Sequence, residues 1–153
     1  MERKRLPNDA CPIARSLDVV GDWWTLLIIR DALAGVTRFN TFQRCLGVAR
    51  NSLSARLTAL LERGLLEKRP PSDGSAFMEY VLTAKGQALA PVLIGLEQWG
   101  IAHARGSAKN APTFVDRRTN RRPRTLRMQS SDGKLLHASD IVGSQAWRER
   151  FRF

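Results

Sequence analysis

Cysteine is scarce in this chain: Cys11 and Cys45 are the only two among 153 residues. Two thiols so far apart cannot form the bridge network of a small secreted domain, nor supply the roughly four ligands of a structural zinc site. Reduced thiols in an intracellular protein are expected instead. Histidine is equally rare, at His103 and His137. The chain has no paired histidine and carboxylate motif, no glycine-rich phosphate loop and no nucleophile elbow, so no enzyme is expected. Long apolar runs are missing as well. Nothing approaches the ~18 apolar residues of a membrane span, and the charged start from Met1 to Arg5 leads into no apolar signal core. A soluble, cytoplasmic protein is therefore expected, with no membrane partner and no cofactor.

Acidic residues are also few, 14 against 25 Lys and Arg, which leaves a net charge of +11. A field of that size favours polyanions: DNA, RNA or an anionic membrane surface. A solvated surface is the plainer alternative. The excess is uneven. Residues 105–153 hold 12 basic and 4 acidic residues, a net of +8, against 13 and 10, or +3, in residues 1–104. The length suits one ordinary hydrophobic core with an appendage.

Residues 1–10 are polar and charged and are expected to form a mobile arm. Pro12 suits a first helical turn, which predicts a helix over Pro12 to Val20. Asp22 can cap a second helix, in which Trp24, Leu27, Ile28 and Leu33 recur at helical spacing until Gly35. Trp24 is expected to be structural. Phe39, Phe42 and Leu46 make a short third helix, and Gly47 to Ala49 a brief turn. A fourth helix begins at about Arg50 and ends at Gly64, with Leu53, Leu57, Leu60 and Leu61 as its inward stripe. Leu65 to Arg69 and Phe77 to Leu82 read as two strands of a hairpin across a turn-rich loop. Thr83 opens a last long helix carrying Leu89, Val92, Leu93, Leu96 and Trp99, in which Pro91 is expected to cause a kink. Beyond Ala104, Thr125 to Gln129 and Lys134 to His137 flank an Asp-Gly turn, which predicts a second small hairpin. The fold class expected is mainly α with a small β-hairpin wing, a winged helix-turn-helix, plus a short basic C-terminal β appendage.

The outward stripe of the fourth helix holds Arg50, Asn51, Ser54 and Thr58, with Arg56 on a flank. It carries no acidic residue before Glu62, as a phosphate-facing helix requires. Such a helix fits the major groove of B-DNA, where Asn bonds adenine edges and Arg guanine edges, while the hairpin reaches neighbouring phosphates or the minor groove. Arg50, Asn51 and Ser54 lie near the end that enters deepest. Arg56, with Lys68 or Arg69 on the hairpin, is a candidate for phosphate contacts. For any one of these residues a merely solvated side chain is nearly as good a reading; the stripe as a whole points to double-stranded DNA.

The stretch from Cys11 to Asp31, above all Trp24-Thr25-Leu26-Leu27-Ile28 and Arg30-Asp31, resembles the opening signature of the HxlR-type regulators, winged-helix transcription factors related to the MarR group. Arg38 to Phe42, Leu53 to Leu57, Gly64-Leu65, Glu79 to Gly86 and Trp99-Gly100 follow in the family's order, so the likeness spans residues 11 to about 104, the part expected to bind DNA and dimerise. It implies a cytoplasmic, nucleoid-associated bacterial regulator, often a repressor. It also implies a homodimer built from the first and last helices, with recognition helices ~34 Å apart on a palindromic site. Relatives with such a tail often carry zinc-ribbon-like cysteines, but here Thr119-Asn120 and Ser131-Asp132 stand at those places, so no structural metal is expected. Cys11 occupies a position at which several relatives sense oxidants or electrophiles. A sensing role is open, although beyond Arg15 and the helix start nothing local argues for a lowered thiol pKa. Cys45 is expected to be a core or boundary residue. A small-molecule effector pocket using Trp23, Phe42 or Trp99 also stays open, since each fits equally as packing. The rival function is a basic RNA-binding or nucleoid-coating protein, for which the Arg-rich tail would supply non-specific affinity.

Overall fold

Two short-range signals start the first helices of the computed structural model, which describes residues 11–71, 74–104 and 113–151. The arm expected over residues 1–10 lies outside the described residues. Pro12 opens α1, Pro12–Val20, where its missing N–H costs nothing. Asp22 caps α2, Trp23–Leu33, by accepting the Trp24 N–H at 3.1 Å. After Gly35 come α3, Phe39–Leu46, and α4, Arg50–Glu62. Gly47 ends α3 in the left-handed conformation (φ 62°), which favours glycine.

The inward stripes meet as expected. Ile28 and Ile29 of α2, Phe42 of α3, and Leu53, Leu57 and Leu60 of α4 are fully buried together with Leu65 and Leu66. Trp24, Leu27 and Leu33 are only half-buried, so the core contribution of α2 comes from Ile28 and Ile29. Cys45 corrects the sequence expectation: it is exposed, because the stripe of Phe39, Phe42 and Leu46 takes the inner face of α3.

The wing pairs β1, Leu66–Arg69, with β2, Glu79–Leu82, antiparallel, from Leu66 opposite Leu82 to Arg69 opposite Glu79. Both strands are shorter than expected. Pro70 and Pro71 bring no N–H to continue the ladder, and the Phe77 carbonyl instead accepts from the Arg38 guanidinium. The outer edge of β2 is tied to the segment before α3, since the Tyr80 N–H donates to the Thr37 carbonyl at 2.8 Å.

At the base of the wing, Thr83 joins three elements. Its hydroxyl donates to the Gly64 carbonyl (2.6 Å) and accepts from the Gly86 N–H (3.2 Å), while its own N–H donates to Leu65 O (3.1 Å). Gly86 is buried so tightly here that an added Cβ would lie 2.2 Å from the Leu65 carbonyl oxygen. The single long helix expected from Thr83 is two helices, α5, Ala84–Gln87, and α6, Ala90–His103. Pro91 explains the break: it cannot donate to Gln87, and its ring crowds that carbonyl, so the chain restarts with proline in the first turn of α6.

The chain divides into two compact units, residues 1–114 and 115–153. In the second, β3, Met128–Gln129, pairs with β4, Leu135–Leu136, around a turn in which Gly133 has φ 84°. This is the expected hairpin with shorter strands. A 3-10 turn, Ala138–Asp140, and α7, Gln145–Phe151, follow and were not foreseen.

Candidate nucleic-acid interface

Leu53, Leu57 and Leu60 anchor one face of α4 in the core, which leaves the opposite face to solvent. Arg50, Asn51, Ser54 and Thr58 are all exposed on it. The first turn of α4 faces the wing across an open cleft of about 820 Å³. Arg38, Asn40, Arg50, Asn51, Ser54 and Lys68 supply its polar lining, Phe77, Met78 and Tyr80 much of its apolar lining, and among the described residues no acidic side chain lines it. A cleft with basic donors on both walls and amides on the helical one suits a polyanionic strand lying between helix and wing.

Local contacts steady these donors. The Arg50 guanidinium lies over the Phe39 ring at 5.2 Å, and the Lys68 ammonium over the Tyr80 ring at 5.7 Å. Arg69 stands outside the cleft lining, in an exposed ion pair with Glu67 at 2.6 Å. Arg56 is half-buried, 3.4 Å from Asp22 and with its guanidinium over the Trp24 ring at 5.8 Å. The structure thus directs Arg56 towards the start of α2, where it packs on Trp24, and not into the cleft.

Of the cleft residues that were not among the sequence candidates, Arg38 and Phe77 matter most to its shape. Arg38 pairs with Glu79 at 3.2 Å and donates to the Phe77 carbonyl, so it fixes the wing against the start of α3. Phe77 is presented by that contact with 76% of its surface exposed. In sequence Arg38 was visible only as part of a motif, and Phe77 only as the start of the second strand.

A second exposed surface is apolar. On α6 only Leu93 is buried, while Val92, Leu96 and Trp99 face solvent; on α1, Ile13 and Leu17 do the same. Of the three aromatics considered for an effector pocket, Phe42 belongs to the core, whereas Trp23 and Trp99 are 71% and 62% exposed. Cys11 is half-buried at the start of α1. Among the described residues no three His, Cys, Asp or Glu side chains gather as metal ligands, and no helix is long and apolar enough to cross a membrane.

Comparison with known proteins matches residues 19–107 to the family model described as HxlR-like helix-turn-helix. The chain belongs to the HxlR-like helix-turn-helix family. HxlR-like proteins are transcription regulators and not enzymes, and the fold above is their winged helix-turn-helix. The chain is 44% identical over 88 residues to an uncharacterised HTH-type transcriptional regulator, MT3179, of Mycobacterium tuberculosis, a match covering 58% of this chain and 56% of that protein. It thus spans little more than half the length of that relative. YybR of Bacillus subtilis, another uncharacterised regulator of this type, is 30% identical over 65% of this chain and 82% of its own. Among solved structures, PA1607, which carries a transcription-factor designation, superposes with a TM-score of 0.80 at 42% identity, over 90% of this chain and 96% of that one. The redox regulator HypR in its reduced form gives a TM-score of 0.54 at 28% identity, over 60% of this HxlR-like chain and 92% of HypR.

Proposed function

We propose that this protein is a cytoplasmic, sequence-specific DNA-binding repressor that acts as a homodimer on an inverted-repeat operator. The observation that carries the reading is the cleft between α4 and the wing, lined among the described residues by Arg38, Arg50 and Lys68 and by no carboxylate, into which Arg50, Asn51 and Ser54 open. In this reading α4 enters the major groove, where Asn51 and Arg50 bond base edges. The phosphate strand beside that groove lies in the cleft against Arg38, Asn40 and Lys68, and Thr58 makes a further polar contact. Arg69 meets a phosphate from the outer side of β1. Phe77, held out by Arg38, packs on sugar faces of the same strand. Arg56 serves the fold, not the DNA.

Dimerisation is supported by α6. A helix that is apolar nearly all round but buries only Leu93 within its own chain needs a partner, and Ile13 and Leu17 extend the same apolar character to α1. A second copy supplies matching helices by symmetry. Cys11 stands at the start of α1, so a bulky or oxidised thiol there would disturb the helix that contributes to this interface. With a redox regulator among the structural neighbours, a thiol-reactive signal is the release mechanism we favour over a small-molecule effector.

Selection of bound sites from a random duplex library, with and without reductant, tests the proposal. An enriched inverted repeat with half-sites one turn apart is expected, and loss of enrichment after oxidation in the wild type but not in Cys11→Ser would mark Cys11. Even recovery of all sequences would mean a nucleoid-coating protein instead.

A further inference from the structure

The Arg-rich segment of the second unit has a built local structure of its own. At its centre the chain closes a tight turn: the Asn120 N–H donates to the Asp116 carbonyl and the Asp116 N–H to the Arg121 carbonyl, each at 2.8 Å. Asn120 adopts a left-handed conformation, φ 52°, the only described non-glycine residue with positive φ. The closed turn sets Arg117 and Arg118 on one limb and Arg121 and Arg122 on the other.

Asp116, which could neutralise these arginines, is used by the turn itself. Its carboxylate accepts the Arg118 N–H at 2.8 Å and bonds the Thr119 side chain, and these contacts hold its pKa below the ordinary 3.8. Asp132 is likewise engaged, by the Ser130 hydroxyl and by Lys134. All four arginines are exposed, and none of them pairs with a described carboxylate. Four guanidiniums without a described carboxylate partner in one turn repel each other, a cost that an anionic partner removes.

We propose that the Arg117–Arg122 turn is a second DNA-binding surface, which grips the phosphates of duplex DNA without reading sequence. The side-chain chemistry favours this partner. Guanidinium forks match phosphate oxygens two at a time, where lysine offers a single point charge. Single-stranded nucleic acid is bound largely by stacking its bases on aromatic rings. No Phe, Tyr or Trp lies between Phe114 and Trp147, so the turn has charge without a stacking platform. The proposal rests on duplex DNA being the ligand of the winged unit.

The test uses the full chain and its variant R117Q/R118Q/R121Q/R122Q, titrated on the selected inverted repeat and on random duplex of equal length between about 50 and 200 mM salt. Each phosphate contact contributes ~0.9 to the slope of log K against log salt, so the variant should lose up to about 3.6 of that slope per protomer, or about 7.2 for a bound homodimer. Its affinity should fall by the same factor on both duplexes, with the preference for the repeat unchanged. The corresponding quadruple lysine variant should regain the slope, because counterion release counts charge. An unmoved slope in the glutamine variant, or failure of the lysine variant to restore it, would overturn the proposal. So would loss of the preference alone, which would make the arginines base readers. A wild-type chain that binds no duplex would overturn the reading of the winged unit, whereas wild-type binding with an unmoved slope overturns only the second surface.

Discussion

The two units of this chain are held together by different physics. The winged unit closes around Ile28, Ile29, Phe42, Leu53, Leu57 and Leu60, all fully buried. The C-terminal unit contains no buried side chain among its described residues, and Leu126, Met128, Leu135, Ile141 and Val142 remain exposed. Its order comes from polar turns at Asp116 to Arg121 and at Ser130 to Lys134. A unit with a core can hold donors such as Asn51 in fixed geometry, as base reading requires. A unit built from hydrogen-bonded turns can display charge but has little to lock a side chain in place. The proposed division of labour follows this difference, with base reading assigned to the first unit and a purely sequence-independent grip to the second.

Core substitutions should expose the difference most strongly. Replacing Phe42 by Ala is expected to cost ~3–5 kcal/mol in denaturant unfolding, whereas Leu135→Ala, at a half-exposed position, should stay within about 0.5 kcal/mol. Comparable losses would mean that the C-terminal unit has an apolar core after all. Gly86→Ala comes next: the new methyl group meets the Leu65 backbone, and overpacking of this kind costs ~1–3 kcal/mol, seen as a lowered Tm. An unchanged Tm would show that the joint at the base of the wing can give way.

Phe77→Ala addresses binding by the winged unit. Its ring is largely exposed, so stability should hold while affinity for the selected repeat falls roughly tenfold, the effect of losing about 1.4 kcal/mol of apolar contact. The salt slope should not move, in contrast to the arginine variant, because no charge is removed. The smallest effect is expected from acid. Asp116 and Asp132 have lowered pKa values, caused first by the Arg118 backbone N–H and by the Ser130 hydroxyl respectively. Depressed carboxylate pKa values stabilise the turns above the ordinary 3.8, and that contribution is lost as pH falls through the folded-state values. Amide exchange at Asn120 and Lys134 should quicken below that range, before the winged unit responds.

Much of the winged unit was legible in the sequence because its signals are local. Pro12, Asp22, Gly47 and Gly64 punctuate the helices, and the Leu53, Leu57 and Leu60 period declares which face of α4 turns inward. The exposed stripe of Arg50, Asn51, Ser54 and Thr58 follows from that period. Arg56 did not, because its place was decided by Asp22 and Trp24, far off in sequence. Arg38 and Phe77 were missed for the same reason: their meeting depends on how the wing folds back on α3. The break before α6 was half visible, since Pro91 announced a disturbance while its position in a first turn needed the packed Thr83 and Gly86 joint to define it. In the C-terminal unit the Asp-Gly turn was readable. The Asp116 turn was not, because it uses Thr119 and Asn120 with no glycine to mark the reversal.

If α4 reads sequence, Asn51→Ala should weaken binding to the operator and spare binding to random DNA. Titrations of wild-type protein and this variant on the selected repeat and on random duplex, at one physiological salt concentration, give the two specificity ratios. Expected are a wild-type preference of ~10³ or more, and a loss of ~1–3 kcal/mol for the variant on the repeat alone. Equal wild-type affinity for both duplexes, or an equal loss on both, would contradict sequence reading by α4.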